Sequence, residues 1–236
     1  MGNLIDAAAS ILSNTEKRLG TISNNIANTS TPGFKRIISN FVEKSSANRG
    51  IILGPIQMFG SDVSQGTLKN TGNSLDIAIS GDGYFLIRRG DQYFLTRSGR
   101  FSRGPEGVLR NAEGLVLQFA GGVDAAVESD AVEILSDGTL LDQGAAVGRI
   151  GVYAAPGGAS GRAGGGLLPL AGEPAEIDEG AFEIRQGMLE SSNVVLSDEM
   201  VALMANTRQA EGAAQLVRTY DQLIGQAITT FARAGR

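Results

Sequence analysis

The sequence predicts an α+β chain in which long N- and C-terminal helices pair as a coiled-coil layer, with an all-β domain inserted between them. Three observations carry this expectation. Apolar positions at both ends recur at alternating spacings of three and four residues, the pattern of a helical seam. In the middle the period drops to two, as in half-buried strands. The chain also holds 33 glycines in 236 residues, about twice the roughly 7% of ordinary proteins, as a region of many tight turns requires.

The N-terminal seam is Ile5, Ala8, Leu12, Thr15, Leu19, Ile22 and Ile26. It predicts a helix over about residues 3–28, roughly 38 Å long. Burying its larger apolar residues stabilises by roughly 1.5–3 kcal/mol each, so the helix needs a partner. The stretch "SNNIANTSTPGFKR" (23–36) stops it. Thr31 before Pro32 discourages further helix, and Gly33 permits the turn.

The partner is expected at the other end, in a helix over about residues 197–231. Ser197 is its expected N-cap, with Asp198 and Glu199 favouring the positive end of the dipole. Its seam reads Met200, Leu203, Thr207, Ala210, Ala214, Val217, Ile224, Ile228 and Phe231, interrupted by Asp221.

Between the helices, "LDIAIS" (75–80) alternates like a half-buried strand, and "GYFLIRRGDQYFLTR" (83–97) reads as a hairpin turning at Arg-Gly-Asp. Short strands follow in 99–117, 131–141 and 147–153, punctuated by Gly-Pro-Glu-Gly and Asn-Ala-Glu-Gly turns. The glycine-dense 154–166 reads as a surface loop. The organisation is thus a discontinuous helical domain (1–36 and 185–236), a connecting segment (37–64) and a β domain (65–184).

Composition narrows the chemistry. There is no Cys and no His, which removes thiolate and imidazole metal ligands, disulfides, and Ser-His-Asp or Cys-His catalysis. A formal net charge of −5 speaks against nucleic acid as a partner. The first twenty residues carry Asp6, Asn14 and Glu16 among their apolar positions, matching neither a secretory signal nor a membrane span. "SGDGYF" (80–85) lacks the Lys and following helix of a phosphate cradle and reads as a turn entering a strand. Asp76, Asp82 and Asp91 keep open a carboxylate-dependent hydrolase acting on cell-wall glycan, which needs two acids about 5–10 Å apart. A fibre or adhesin with coiled-coil ends is a third reading. No cofactor or metal is expected.

Four segments resemble one known group. "SNNIANTSTPGFKR" is similar to the N-terminal signature of bacterial flagellar axial proteins, the rod and hook family. "SQGTLKNTGNSLDIAISGDGYFLI" (64–87) and "YFLTRSGRFSRGPEGVLRNAEGLVLQ" (93–118) resemble its β segments, and "RQGMLESSNVVLSDEMVALMANTRQAE" (185–211) its C-terminal signature. The modest β insertion is most like that of proximal rod members, with distal rod members second. Ser74, Val195 and Ala210 depart from the usual Pro, Asn and aromatic residue.

The resemblance implies a non-enzymatic subunit of the basal-body rod in the periplasm, assembling into a helical tube that transmits torque and walls an export channel. It implies terminal helices in an inner coiled-coil layer, with the β domain outside. The implied partners are copies of the chain itself, neighbouring rod proteins and the flagellar type III export apparatus, with no nucleic acid and no membrane insertion. The resemblance also implies that Asn24, Asn25 and Asn28 offer amides to neighbouring subunits where the helix ends; capping alone would explain Asn28 but not Asn24 and Asn25. Seam and signatures together assign the subunit interface to Ile5, Leu12, Leu19, Ile22, Asn24, Asn25, Ile26, Asn28, Phe34, Asn193, Met200, Leu203, Arg208, Val217, Ile224 and Ile228.

Overall fold

The computed structural model describes residues 2–45, 52–155, 166–170, 172, 174–178 and 180–234. The chain divides into two compact units, Met1–Ala27 with Val195–Arg236, and Asn28–Val194. The fold is α+β with an all-β inserted region. The boundaries drawn from sequence at 36 and 185 move outward. Residues 28–36 and 185–194 group with the β unit, because the two stretches hydrogen-bond to one another.

The helical unit holds α1 (Gly2–Ala27) and α2 (Leu196–Ala234). The second helix opens one residue before its expected cap. The carbonyl of Val195 accepts from the N–H groups of Asp198 and Glu199 at 3.1 and 3.2 Å. Ser197 therefore lies inside the first turn, with its hydroxyl on the Asp198 carboxylate at 3.3 Å. Among the described residues, no helix is long and apolar enough to cross a membrane.

The β unit opens with the antiparallel pair β1 (Ile37–Ser45) and β2 (Ile52–Ser61), in register from Ile37 opposite Ser61 to Ser45 opposite Ile52. This ladder occupies the segment read from sequence as a connection. Next, β3 (Leu68–Asn70) and β4 (Ile77–Gly81) pair with the last two strands of the unit. The expected hairpin is β5 (Tyr84–Arg89) and β6 (Gln92–Thr96), turning through Gly90. Short strands β7 (Ser102–Arg103), β8 (Leu109–Arg110) and β9 (Val116–Leu117) fold back onto β5. A separate three-stranded sheet is β10 (Val132–Ile134), β11 (Thr139–Asp142) and β12 (Ala145–Arg149). Then β13 (Val152–Tyr153) takes the free half of the β5 edge, and β14 (Leu168–Pro169) lies on β6. Finally β15 (Phe182–Gln186) pairs with β4, and β16 (Met188–Glu190) with β3. Most of the glycine-dense loop, 156–165, lies outside the described residues.

The apolar run "YFLIRR" is explained by burial on both faces of β5. Phe85 and Ile87 enter the main core with Ile77, Ile79, Leu109 and Leu117, while Tyr84 and Leu86 join Leu95, Tyr153 and Leu168 on the other side. Phe85 meets Phe101 edge to face at 6.0 Å between centroids. In "SGDGYF", Gly83 has φ +115°, and a Cβ there would lie 2.3 Å from Val152 Cγ1, so the glycine serves strand packing.

Three aspartates pin loops of this unit. The Asp142 carboxylate accepts from the Ser129 hydroxyl at 2.6 Å and from the Glu128 and Ser129 N–H groups, which holds its carboxyl below the usual range. The Ser64 hydroxyl and N–H do the same for Asp62. Asp124 is lowered first by Arg88, whose guanidinium grips it at 2.7 and 2.9 Å, then by Gln118. A carboxyl lowered on folding stabilises above its unfolded pKa, about 3.9, and that contribution is lost as pH falls through the folded value. The thermal unfolding midpoint is therefore expected to drop steeply below about pH 4, with a shallower drop in Asp142→Asn; melts between pH 3 and 7 test this. An equal drop in both proteins would remove Asp142 from the account.

Candidate functional site

The two helices run antiparallel. Near the end of α1, Asn25 donates through Nδ2 to Glu199 Oε1 at 3.3 Å; ten residues earlier the Thr15 carbonyl accepts from Asn206 Nδ2 at 2.8 Å. The buried lines are Ala8, Thr15 and Ile22 on α1, and Glu199, Asn206 and Ala213 on α2, each stepping by seven. Small and polar side chains thus fill the contact between the helices, and Asn206 Oδ1 is buried there with no partner among the described residues.

This divides the expected seam in two. Ile22 is buried, and Ile26, Leu203 and Val217 are half-buried. Ile5, Leu12 and Leu19 remain 40%, 36% and 41% exposed. They form a second line three residues from the first, so about 60° round the helix. On α2, Met200, Arg208, Ile224 and Ile228 are exposed, with Val201 and Met204 beside Met200. Asn24 is exposed on α1, and Asn28 is half-buried in the β unit. Sequence reasoning missed Glu199, Asn206 and Ala213. Their seven-residue repeat was visible, but two of the three are polar and a hydrophobic pattern passes over them.

The remainder of the N-terminal signature forms a clasp within the β unit. The Gly33 N–H donates to the Glu190 carbonyl at 2.8 Å. Lys35 Nζ donates to Glu190 Oε1 at 2.6 Å and to the Ser64 carbonyl at 2.7 Å. Glu190 Oε1 also accepts from the Gly66 N–H at 2.9 Å, and its Oε2 from Arg97 Nη1 at 3.3 Å. Arg97 in turn lies over the Tyr84 ring at 5.2 Å. Burial, outweighing the pull of Glu190, lowers the Lys35 pKa. Asn193 accepts from the Arg36 N–H at 2.7 Å and donates to the Asp62 and Ser64 carbonyls at 3.0 Å.

Besides Ile22 on the buried line of α1, three residues assigned from sequence to contacts between subunits are therefore occupied inside the chain. Phe34 is buried in the β unit, Asn193 ties its two ends together, and Asn25 is buried against Glu199.

Of the three aspartates considered for hydrolysis, Asp82 is held apart from the other two. Asp82 and Asp91 flank opposite ends of β5, and Asp76 precedes β4 while Asp82 follows it. At about 3.3 Å per residue these strands place Asp82 roughly 20 Å from Asp76 and from Asp91, beyond the reach of an acid–base pair. Asp76 is moreover buried on the Thr71 hydroxyl at 2.7 Å.

Comparison with known proteins matches three segments of the chain. Residues 5–35 match the model described as flagella basal body rod protein. Residues 78–141 match the flagellar hook protein FlgE/F/G D1 domain, and 185–230 the flagellar basal body rod FlgEFG protein C-terminal model. The flagellar basal-body rod protein FlgF of Rhizobium meliloti is 31% identical over 91% of this chain and 92% of its own. FlgF of Mesorhizobium japonicum is 32% identical over the same shares. The rod protein FlgG of Bacillus subtilis is 29% identical over 92% of this chain and 94% of its own. Helical ends and β insert alike, the chain belongs to the flagellar basal-body rod proteins, most like FlgF: a structural subunit of the rod, not an enzyme.

Proposed function

We propose that α1 and α2 of many copies, with those of neighbouring rod proteins, pack as a coiled-coil layer of a helical tube. The tube transmits torque and walls an export channel, which the chain itself reaches through the flagellar type III export apparatus. The observation that carries this reading is the open line Ile5, Leu12 and Leu19 beside the buried one. A heptad-spaced apolar line left in water favours association with further helices. Met200, Ile224 and Ile228 extend the same argument to α2, with Arg208 on its exposed surface. Asn24 supplies an exposed amide where α1 ends.

The doubly substituted Leu12→Asp/Leu19→Asp chain tests it. Both positions lie outside the buried line but are only 36% and 41% exposed, so stability in urea is expected to fall by about 1 kcal/mol each, and a Leu12→Ala/Leu19→Ala chain serves as the milder comparison. Incorporation into basal bodies and swimming in soft agar are expected to be lost. Undiminished swimming with the variant as the sole copy would remove the helices from the assembly.

A further inference from the structure

We infer that a groove beside the three-stranded sheet of the β unit takes an extended, positively charged segment of another protein, which adds to it as a strand. The surface lies within the β unit and is independent of how the helices assemble. The groove encloses about 560 Å³. Its apolar lining is Ala126, Val127, Ala145 and Val147, and its charged lining is Glu106, Glu128 and Asp142.

Two stretches of main chain reach this groove with open edges. The first is at Ala126, which bridges Val108 in antiparallel fashion. The Leu109 N–H donates to the Ala125 carbonyl at 2.8 Å, and the Val127 N–H to the Gly107 carbonyl at 2.9 Å. That pattern turns the N–H and carbonyl of Ala126 itself away from residue 108. Ala126 is exposed, and among the described residues neither group has a hydrogen-bond partner. The second stretch is β12, which has β11 on one side only. The other edge of β12 is covered at its far end, where the Ala120 N–H donates to the Arg149 carbonyl at 2.7 Å. At the near end Ala145, Ala146 and Val147 are exposed. The register passes over Val147, which opposes no residue of β11. Such a bulge re-aims its side chain, and here Val147 lines the groove. An edge without charge or proline is the kind to which a further strand adds.

Charge selects the occupant. Among the described residues, no Lys or Arg lines the groove. The Glu106 side chain is 81% exposed, with Arg110 at 3.8 Å, and Glu128 is exposed as well. The Ser129 hydroxyl, with the N–H groups of Glu128 and Ser129, keeps Asp142 ionised. A strand carrying Arg or Lys among small side chains meets these carboxylates favourably, whereas an acidic one is repelled. Gln143, with φ +52° in the turn before β12, adds an amide that can both donate and accept.

The test uses the blocked peptide acetyl-Ala-Arg-Val-Arg-Ala-amide, titrated at low salt into the isotope-labelled full chain. Saturable shifts of the Ala126, Ala145 and Val147 amide signals are expected. In Glu106→Gln/Glu128→Gln, whose altered side chains are exposed, affinity is expected to fall about tenfold or more. Methylating the main-chain nitrogens of the peptide, with the protein unaltered, is expected to weaken binding as much, because the hydrogen bonds of an added strand are lost. Equal binding by the methylated peptide would leave charge attraction alone and overturn strand addition. Equal binding by the peptide with Glu in place of Arg, or no shift up to about 1 mM peptide, would overturn the occupant. Shifts of the same amides on concentrating the chain without peptide would assign the groove to a second copy and overturn it too. Each of these outcomes leaves the rod reading intact.

Discussion

Glu190→Ala is expected to lower stability by about 3–5 kcal/mol, the cost of removing one partner from a buried ionic cluster. Against the roughly 5–15 kcal/mol that typical proteins possess, that is enough to leave much of the chain unfolded. Its carboxylate lies between two buried cations, Lys35 at 2.6 Å and Arg97 at 3.3 Å, and also receives the Gly66 N–H. Truncation leaves both cations in place without the anion that offset their desolvation. Burial already lowers the Lys35 pKa with the carboxylate present. Glu190→Gln keeps an acceptor for Gly66 but loses the charge, so it is expected to fall between wild type and Glu190→Ala. Urea unfolding followed through the β signal measures both. A loss under about 1 kcal/mol in Glu190→Ala would show that the cluster contributes little.

Gly33→Ala is expected to be nearly as severe, above about 3 kcal/mol, for two separate reasons. Gly33 has φ +68°, a left-handed conformation that costs other residues roughly 1–2 kcal/mol. A Cβ there would also lie 2.3 Å from Arg97 C and Ser98 N. Those are backbone atoms and cannot rotate away as a side-chain tip can. The control is Gly20→Ala, where an added Cβ meets nothing within 4 Å; in a helix interior that change is expected to stabilise by about 0.5–1 kcal/mol. Urea unfolding followed through the β signal for Gly33→Ala and through the helix signal for Gly20→Ala compares them, and equal behaviour of the two variants would refute the packing argument.

What the sequence disclosed depended on how local the cause was. Both helices, the β5–β6 hairpin and the buried run of β5 follow from periods and turns spanning a few residues. The register of β15 on β4 did not, because residues 182 and 81 meet only through the rest of the unit. The β1–β2 ladder escaped because "IISNFVEKS" does not alternate cleanly. In the candidate site the seam was legible as a set of positions but not as two lines. Which of Ala8 and Leu12 turns inward depends on α2, which presents Glu199, Asn206 and Ala213 and so accepts small residues opposite. Phe34 and Asn193 were legible as important residues. Their work inside the chain was not, since it depends on partners far along the sequence, such as Arg36 for Asn193.

The hydrogen bond from Gly33 to the Glu190 carbonyl has a consequence for how such chains diverge. Entry to and exit from the β unit share one neck, so all that lies between is a single closed excursion. Lengthening a closed loop is cheap in entropy, about 0.6 kcal/mol for each doubling. Provided the clasp of Lys35, Arg97 and Glu190 survives, the excursion is free to grow, shrink or acquire new strands while the separation of the two chain ends at the neck stays the same.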